Sequence, residues 1–113
     1  MVGKLITVVE TAEYLKKATK LLSAAERDEL VDRLAVDPRC GEIIPQSGGV
    51  RKVRIALEGR GKRGGARVIY YYHSEAAPLF ILTVYAKAER DDLSAADLKR
   101  YRAMVTLIKS ALG

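Results

Sequence analysis

The stretch VRKVRIALEGRGKRGGARVIYYYHSEAAPLFILTVYAK, from Val50 to Lys87, decides the fold. It contains three segments rich in β-branched and aromatic residues, at 50–57, 66–73 and 79–87. A glycine-rich stretch separates the first two, and the turn SEAAP separates the last two. Such segments between turn residues are typical of strands. Because short connections join neighbouring strands in opposite directions, the stretch predicts a three-stranded antiparallel meander.

The flanking sequence predicts one strand and three helices. Residues 4–9 (KLITVV) predict a strand, and apolar residues at helical spacing predict a helix over 11–21. A capping box begins a second helix at Ser23, which ends near Val36, and a similar sequence begins a C-terminal helix at Ser94. The connector 37–49 holds two prolines and three glycines. The order β-α-α-β-β-β-α predicts one α+β domain over 1–113, with a small, twisted, antiparallel or mixed sheet packed on helices.

Length and cysteine content exclude several classes of protein. A chain of 113 residues fits one domain with a real core. The single cysteine, Cys40, forms no internal disulfide, and without a Cys/His cluster it builds no structural zinc site. The amino-terminal apolar run is too short for a signal peptide or a membrane span. We therefore expect a cytoplasmic protein that is not bound to a membrane.

The positive charge is concentrated in one segment. The chain carries 20 Lys and Arg against 14 Asp and Glu, a net charge of +6. Residues 51–67 contain seven of those cations and one acid, so the whole excess lies there. A focused basic patch indicates an anionic partner, whereas a solvated charged hairpin is the simpler structural alternative.

The alternation of the predicted strands brings cations to one face of the sheet. Within the first strand, Lys52 and Arg54 point to one face of the sheet and Val53 and Ile55 point to the other, and Arg67 lies at the start of the next strand. We expect the apolar face to pack on the helices, and the other face to present Lys52, Arg54, Arg67 and, at a strand end, Lys87. A twisted face with convergent cations is a cleft for a phosphodiester backbone.

The glycine-rich stretch does not match the known phosphate-binding loops. A P-loop would need glycine where Ala56 stands and Ser or Thr where Arg63 stands, and it would precede a helix. A single arginine–glycine segment that binds RNA remains open. The acids Glu89, Asp91 and Asp92 are read as the charged approach to the last helix, and no metal or cofactor is expected.

RNA cleavage is chemically possible without a histidine pair, which this chain cannot form because His73 is its only histidine. RNA supplies its own nucleophile, the 2′-OH. Clustered Lys and Arg can align it and stabilise the charge that develops on phosphorus. Tyr71 or Tyr85 could stack on a base or take part in proton transfer.

Two separated blocks carry a resemblance to a known family. The residues GGVRKVRIALEGRGKRGGARVIYYY (48–72), followed by LFILTVYAKAERDDLS (79–94), resemble the HigB-like branch of the RelE/ParE toxin superfamily. The resemblance implies a bacterial type II toxin that enters the ribosomal A site and cleaves mRNA there without a metal. It also implies a cognate HigA-like antitoxin with a helix-turn-helix domain.

The resemblance implies roles for particular residues. The family's catalytic cations correspond to Lys52, Arg54, Arg67 and Lys87. The RNA-binding residues would be Arg51, Arg60, Lys62 and Arg63, with Tyr71 and Tyr85. Some relatives place a catalytic tyrosine or histidine near the last helix, where this chain has Leu93 and Tyr101.

Two other functions remain open at this stage. A ParE-like protein of the same fold would inhibit DNA gyrase without cleaving anything. A non-toxic RNA-binding module would use the same cations only for binding. The set of cations favours the ribonuclease.

Overall fold

The computed structural model describes residues 5–57, 64–90 and 92–112. In chain order the elements are β1 (Val8–Glu10), α1 (Ala12–Leu21), α2 (Ala24–Val36), β2 (Glu42–Ile43), β3 (Val50–Ile55), β4 (Ala66–Tyr71), β5 (Leu79–Ala86) and α3 (Ala95–Leu112). The predicted α+β fold is confirmed. The structure adds β2, a two-residue strand inside the predicted connector. A segment of two residues is too short to show the alternation by which a strand is predicted.

The sheet has the order β1-β5-β4-β3-β2. Strands β3, β4 and β5 form the predicted antiparallel meander, and β1 pairs with β5 in the parallel direction, so the sheet is mixed. The side chain of Thr11 joins the sheet to α1. Its hydroxyl donates to the Ile81 carbonyl at 2.7 Å, and its oxygen caps the helix by accepting from the Tyr14 amide.

The helix starts that the sequence predicts are present. At α2, the Glu26 amide donates to the Ser23 hydroxyl at 3.1 Å, and the Ser23 amide donates to the Glu26 carboxylate at 2.8 Å. At α3, the Asp97 amide donates to the Ser94 hydroxyl at 3.1 Å. These bonds satisfy amides that the first turn of a helix leaves free.

The sheet is covered on both faces. Helices α1 and α2 pack on the first face, around the buried side chains of Tyr14, Leu30, Leu34, Val68, Tyr70 and Ile81. On the second face lies a separate cluster that joins the sheet to α3: Val50, Ile69, Tyr71, Leu82, Tyr85, Tyr101 and Val105. The expectation that all the helices share one face is wrong, because the second face also carries apolar residues that α3 buries.

No helix in the described part of the chain is long and apolar enough to cross a membrane. Within the same ranges, no group of three His, Cys, Asp or Glu side chains is arranged to hold a metal ion.

Candidate nucleic-acid interface

The strand register brings four cations together on the second face. Lys52 and Arg54 are two residues apart on β3, and Arg54 lies directly opposite Arg67 on β4. Arg67 in turn lies opposite Tyr85 on β5, and Lys87 follows two residues later. Like charges placed directly opposite each other on a sheet are destabilising. A fold that keeps them there has the electrostatics of an anion-binding site.

These cations border a groove of about 350 Å³. The residues that line it are Arg33, Cys40, Glu42, Lys52, Val53, Arg54, Arg67 and Lys87. The predicted catalytic set therefore converges on one depression at the edge of β3. The apolar cluster under α3 occupies other positions of the same face.

Arg67 forms the buried part of the groove. It is 5% exposed, and its Nη1 donates to the Gly64 carbonyl at 2.7 Å and to the Ala66 carbonyl at 3.4 Å. Carbonyl acceptors orient a guanidinium without neutralising its charge, and a guanidinium stays protonated in proteins. Arg67 therefore supplies a fixed positive charge at low solvent exposure, where electrostatic attraction is stronger than in bulk water.

Lys52 and Arg54 are the cations of β3 that line the groove. The Lys52 ammonium lies 3.7 Å from the Asp92 carboxylate, in an ion pair whose acid is 66% exposed. Such exposed pairs contribute about 0–1 kcal/mol, so a phosphate can compete with Asp92 for Lys52. Arg54 is exposed, and its carbonyl accepts from Arg33 Nη1 at 3.1 Å.

Two residues that line the groove, Arg33 and Glu42, were not predicted from the sequence. Arg33 belongs to α2 and reaches the edge of β3, which adds a fifth cation. Glu42 belongs to the short strand β2, opposite Lys52. Neither residue lies in the basic segment or in the two resembling blocks, and only the docking of α2 and β2 against β3 brings them there.

Arg51 does not join the groove. It alternates with Lys52, so it points to the first face, where its Nη1 donates to the Gly41 carbonyl at 2.7 Å and to the Arg39 carbonyl at 3.3 Å. In this structure the Arg51 guanidinium ties the connector to β3, and its contact with RNA stays a prediction. The other predicted RNA contacts, Arg60, Lys62 and Arg63, lie outside the described residues.

The two predicted stacking tyrosines are buried. Tyr71 is 3% exposed and Tyr85 is 6% exposed, and both belong to the cluster under α3. Neither ring offers a face to a base, so the stacking expectation is wrong for this structure. Burial raises the pKa of both hydroxyls, which favours their protonated form. The Tyr85 ring also lies 5.2 Å from the Arg90 guanidinium.

The two positions near the last helix and the single histidine are not among the residues that line the groove. Tyr101 is 1% exposed, and its hydroxyl donates to Glu13 at 2.6 Å. Leu93 packs against the same apolar cluster. His73 lies beyond the far end of β4, roughly 20 Å from Arg67 at about 3.3 Å per residue, and its Nδ1 is 3.0 Å from the Tyr71 hydroxyl. Among the described residues that line the groove, the titratable side chains besides arginine are Cys40, Glu42, Lys52 and Lys87.

The fold and the groove together define a small α+β protein with a cation-lined groove, a candidate anion-binding site, on the exposed part of a meander. The sequence profile described as "RelE toxin of RelE / RelB toxin-antitoxin system" matches residues 28–112. This match spans most of the chain, which therefore belongs to the RelE toxin family. The predicted RelE/ParE relationship is confirmed, while the HigB-like branch stays a prediction.

A solved structure agrees with this assignment at the level of the fold. The chain is similar to a double arginine-to-alanine mutant of the E. coli toxin RelE in its free state, with a TM-score of 0.57 and 15% sequence identity. The match covers 88% of this chain and 96% of that one. At this identity the likeness shows a common fold.

Proposed function

We propose that this chain is a ribosome-dependent endoribonuclease that cleaves mRNA in the A site by attack of the RNA's own 2′-OH, without a metal ion. The observation that carries the proposal is the convergence of Lys52, Arg54, Arg67 and Lys87 on one groove. A phosphodiester that passes through this groove would meet positive charge from three strands. Family membership supports the same conclusion.

The proposed roles follow from the side-chain chemistry. The guanidiniums of Arg54 and Arg67 would stabilise the extra negative charge on the phosphorane, because they stay charged throughout the reaction. Lys52 and Lys87 would hold the phosphate in line with the 2′-oxygen. The 2′-oxygen would bond to phosphorus and release its proton to water, and the P–O5′ bond would break to leave a 2′,3′-cyclic phosphate and a 5′-hydroxyl. An ammonium group can give up a proton, so these two lysines are our candidates for protonating the leaving 5′-oxygen.

We also propose the partners. The toxin would act in the cytoplasm on a translating ribosome, with contacts to both mRNA and ribosomal RNA. A cognate antitoxin of HigA-like, helix-turn-helix type would neutralise it. The membership in a toxin–antitoxin family supports an antitoxin in general, and the helix-turn-helix type rests on the resemblance of the two sequence blocks.

The decisive experiment is induction of the protein in a bacterial host, followed by mapping of mRNA 5′ ends. The expected result is growth arrest with new 5′ ends confined to translated regions and in phase with the reading frame. A DNA-damage response without cuts would instead support gyrase inhibition. An absence of any growth effect would support a non-toxic binding module, and both outcomes would overturn the proposal.

A further inference from the structure

Two consecutive glycines, Gly64 and Gly65, lie directly before β4, at the end of the glycine-rich stretch. Gly64 has φ of 74° and Gly65 has φ of 64°, so both adopt the left-handed conformation that other residues avoid. Glycines next to a strand are commonly explained by their conformational freedom alone. Their contacts indicate a further role, because both residues touch Lys87, which follows β5, and Gly64 also touches Arg67.

Gly65 is required for backbone packing. Its carbonyl accepts from the Lys87 amide at 3.0 Å, which continues the contact of β4 with β5. A Cβ at this position would lie 2.1 Å from the Ile55 carbonyl oxygen on β3. The turn is therefore held between β3 and β5, and this contact fixes the location of the neighbouring Gly64.

Gly64 contacts the groove itself. Its carbonyl accepts the 2.7 Å hydrogen bond from Arg67, which anchors its peptide group. A Cβ on Gly64 would lie 2.6 Å from Lys87 Cγ and 3.1 Å from Lys87 Cβ. The alkyl chain of Lys87 therefore occupies the space that a side chain at residue 64 would need.

We propose that Gly64 is a positioning residue for Lys87: its missing side chain leaves the space in which the lysine stem lies, and so sets where the ammonium meets the phosphate. This inference rests on the proposed function, because it assigns Lys87 to the RNA-cleaving groove. An added methyl group would force the lysine stem to move. Misplacement of a reacting group by about 1 Å can cost on the order of 100-fold in rate.

The test compares Gly64→Ala with Gly48→Ala. Gly48 has a similar φ of 82°, but a Cβ there would meet its nearest neighbours at an ordinary 3.7 Å, so it controls for backbone strain. The rate of mRNA cleavage on purified ribosomes is expected to fall about 10-fold to 100-fold for Gly64→Ala, and to stay near the wild-type rate for Gly48→Ala. Thermal unfolding of the two variants should shift by similar amounts.

A second measurement separates positioning from general damage. Gly64→Ala is combined with Lys87→Ala, which removes Lys87 Cγ, the atom that the new methyl group would approach most closely, and keeps only the Cβ at 3.1 Å. The expected result is that Gly64→Ala then lowers the remaining rate by less than about 2-fold, since effects that act through one contact are not additive. A full Gly64→Ala loss in the Lys87→Ala background would overturn the inference, as would Gly64→Ala cleaving like Gly48→Ala. A wild-type protein that does not cleave would overturn the proposed function and this inference with it.

Discussion

Neighbouring cations in this chain have opposite surroundings. Arg51 and Lys52 are consecutive, yet Lys52 borders the groove while Arg51 hydrogen-bonds to the connector on the other side of the sheet. The cause is the strand pleat, which sends successive side chains to opposite faces. Charge density along the sequence identifies the region, and the parity of each residue within its strand decides which cation is available to a phosphate.

The first prediction is that Arg67→Ala removes cleavage, whereas Arg51→Ala does not. Both variants lose one positive charge, but only Arg67 is a buried charge within the groove. Loss of a fixed electrostatic donor commonly lowers a rate about 100-fold to 1,000-fold. The measurement is mRNA cleavage on purified ribosomes, with antitoxin binding as the check of folding. Full cleavage by Arg67→Ala would contradict the site assignment.

Helix α3 is fastened to α1 by a polar contact beside its apolar one. Glu13 on α1 accepts from the Tyr101 hydroxyl at 2.6 Å and from the Arg100 guanidinium. Burial favours the neutral form of the Glu13 carboxyl, but the hydrogen bonds from Arg100 and Tyr101 outweigh it and lower its pKa from 4.5 to about 2. This link holds the helix that covers the second face of the sheet.

The second prediction is a pH dependence of folding that comes from Glu13. Because its pKa is lower in the folded state, the unfolded chain binds more protons between about pH 4.5 and pH 2, and the stabilisation is lost as pH falls through that window. The free energy of unfolding should therefore exceed that of Glu13→Gln above pH 4.5, and the difference should shrink towards pH 2. Urea unfolding at several pH values measures it. The exposed Glu75→Gln is the control, and a constant difference for Glu13→Gln would contradict the assignment.

Tyr70 on β4 also holds the connector that precedes β3. The Tyr70 hydroxyl donates to the Pro38 carbonyl at 2.8 Å and accepts from the Gly41 amide at 2.8 Å. Both contacts place residues 38–41 against β4 and allow the short strand β2 to form beside β3. Glu42, which lines the groove, depends on this arrangement.

The third prediction is that Tyr70→Phe destabilises the fold while Tyr85→Phe has little effect. Tyr70→Phe leaves a carbonyl and an amide without their partner, at a cost of about 1–3 kcal/mol. The Tyr85 hydroxyl is also buried, but it has no hydrogen-bond partner among the described residues, so its removal orphans no described group. Chemical unfolding of both variants measures the difference. Equal destabilisation would show that the Tyr70 contacts are unimportant.

For the whole molecule, the groove combines charges that are far apart in the chain. Lys52, Arg54 and Arg67 belong to the basic segment, while Arg33 comes from α2 and Lys87 from the end of β5. The net charge of +6 therefore indicates an anionic partner but does not locate its binding site. Only the assembly of helix, meander and edge strand creates the local field.

The fourth prediction concerns the salt dependence of RNA binding. If four cations neutralise phosphates of a single strand, the logarithm of the binding constant should fall with the logarithm of salt concentration with a slope of about −3. Lys87→Ala should make the slope shallower by about 0.7, because one phosphate contact is lost. Lys109→Ala removes an exposed cation from the last turn of α3 and should leave the slope unchanged. Fluorescence anisotropy with a short single-stranded RNA measures this, and equal slopes for all three proteins would exclude Lys87 from the binding surface.

The sequence by itself determined the three helices and the strands of the meander, because each depends on local signals, whereas the short strand β2 has none. Ser23 and Ser94 begin helices through bonds to amides three residues away, and alternation along β3 already separates Lys52 from Val53. The two blocks at 48–72 and 79–94 also indicated the toxin family. These signals are local in the chain, so they can be read without knowledge of the packing.

Only the tertiary structure decided which residues meet at the groove and which are buried. Arg33 and Glu42 join the groove through contacts between elements. Tyr71 and Tyr85 are covered by α3, which packs on the face of the sheet to which the strand pattern assigned no helix. The role of Gly64 likewise depends on Lys87, which lies 23 positions later in the chain. The physical reason is that burial and side-chain contact depend on where distant elements dock, and no local pattern of residues specifies that docking.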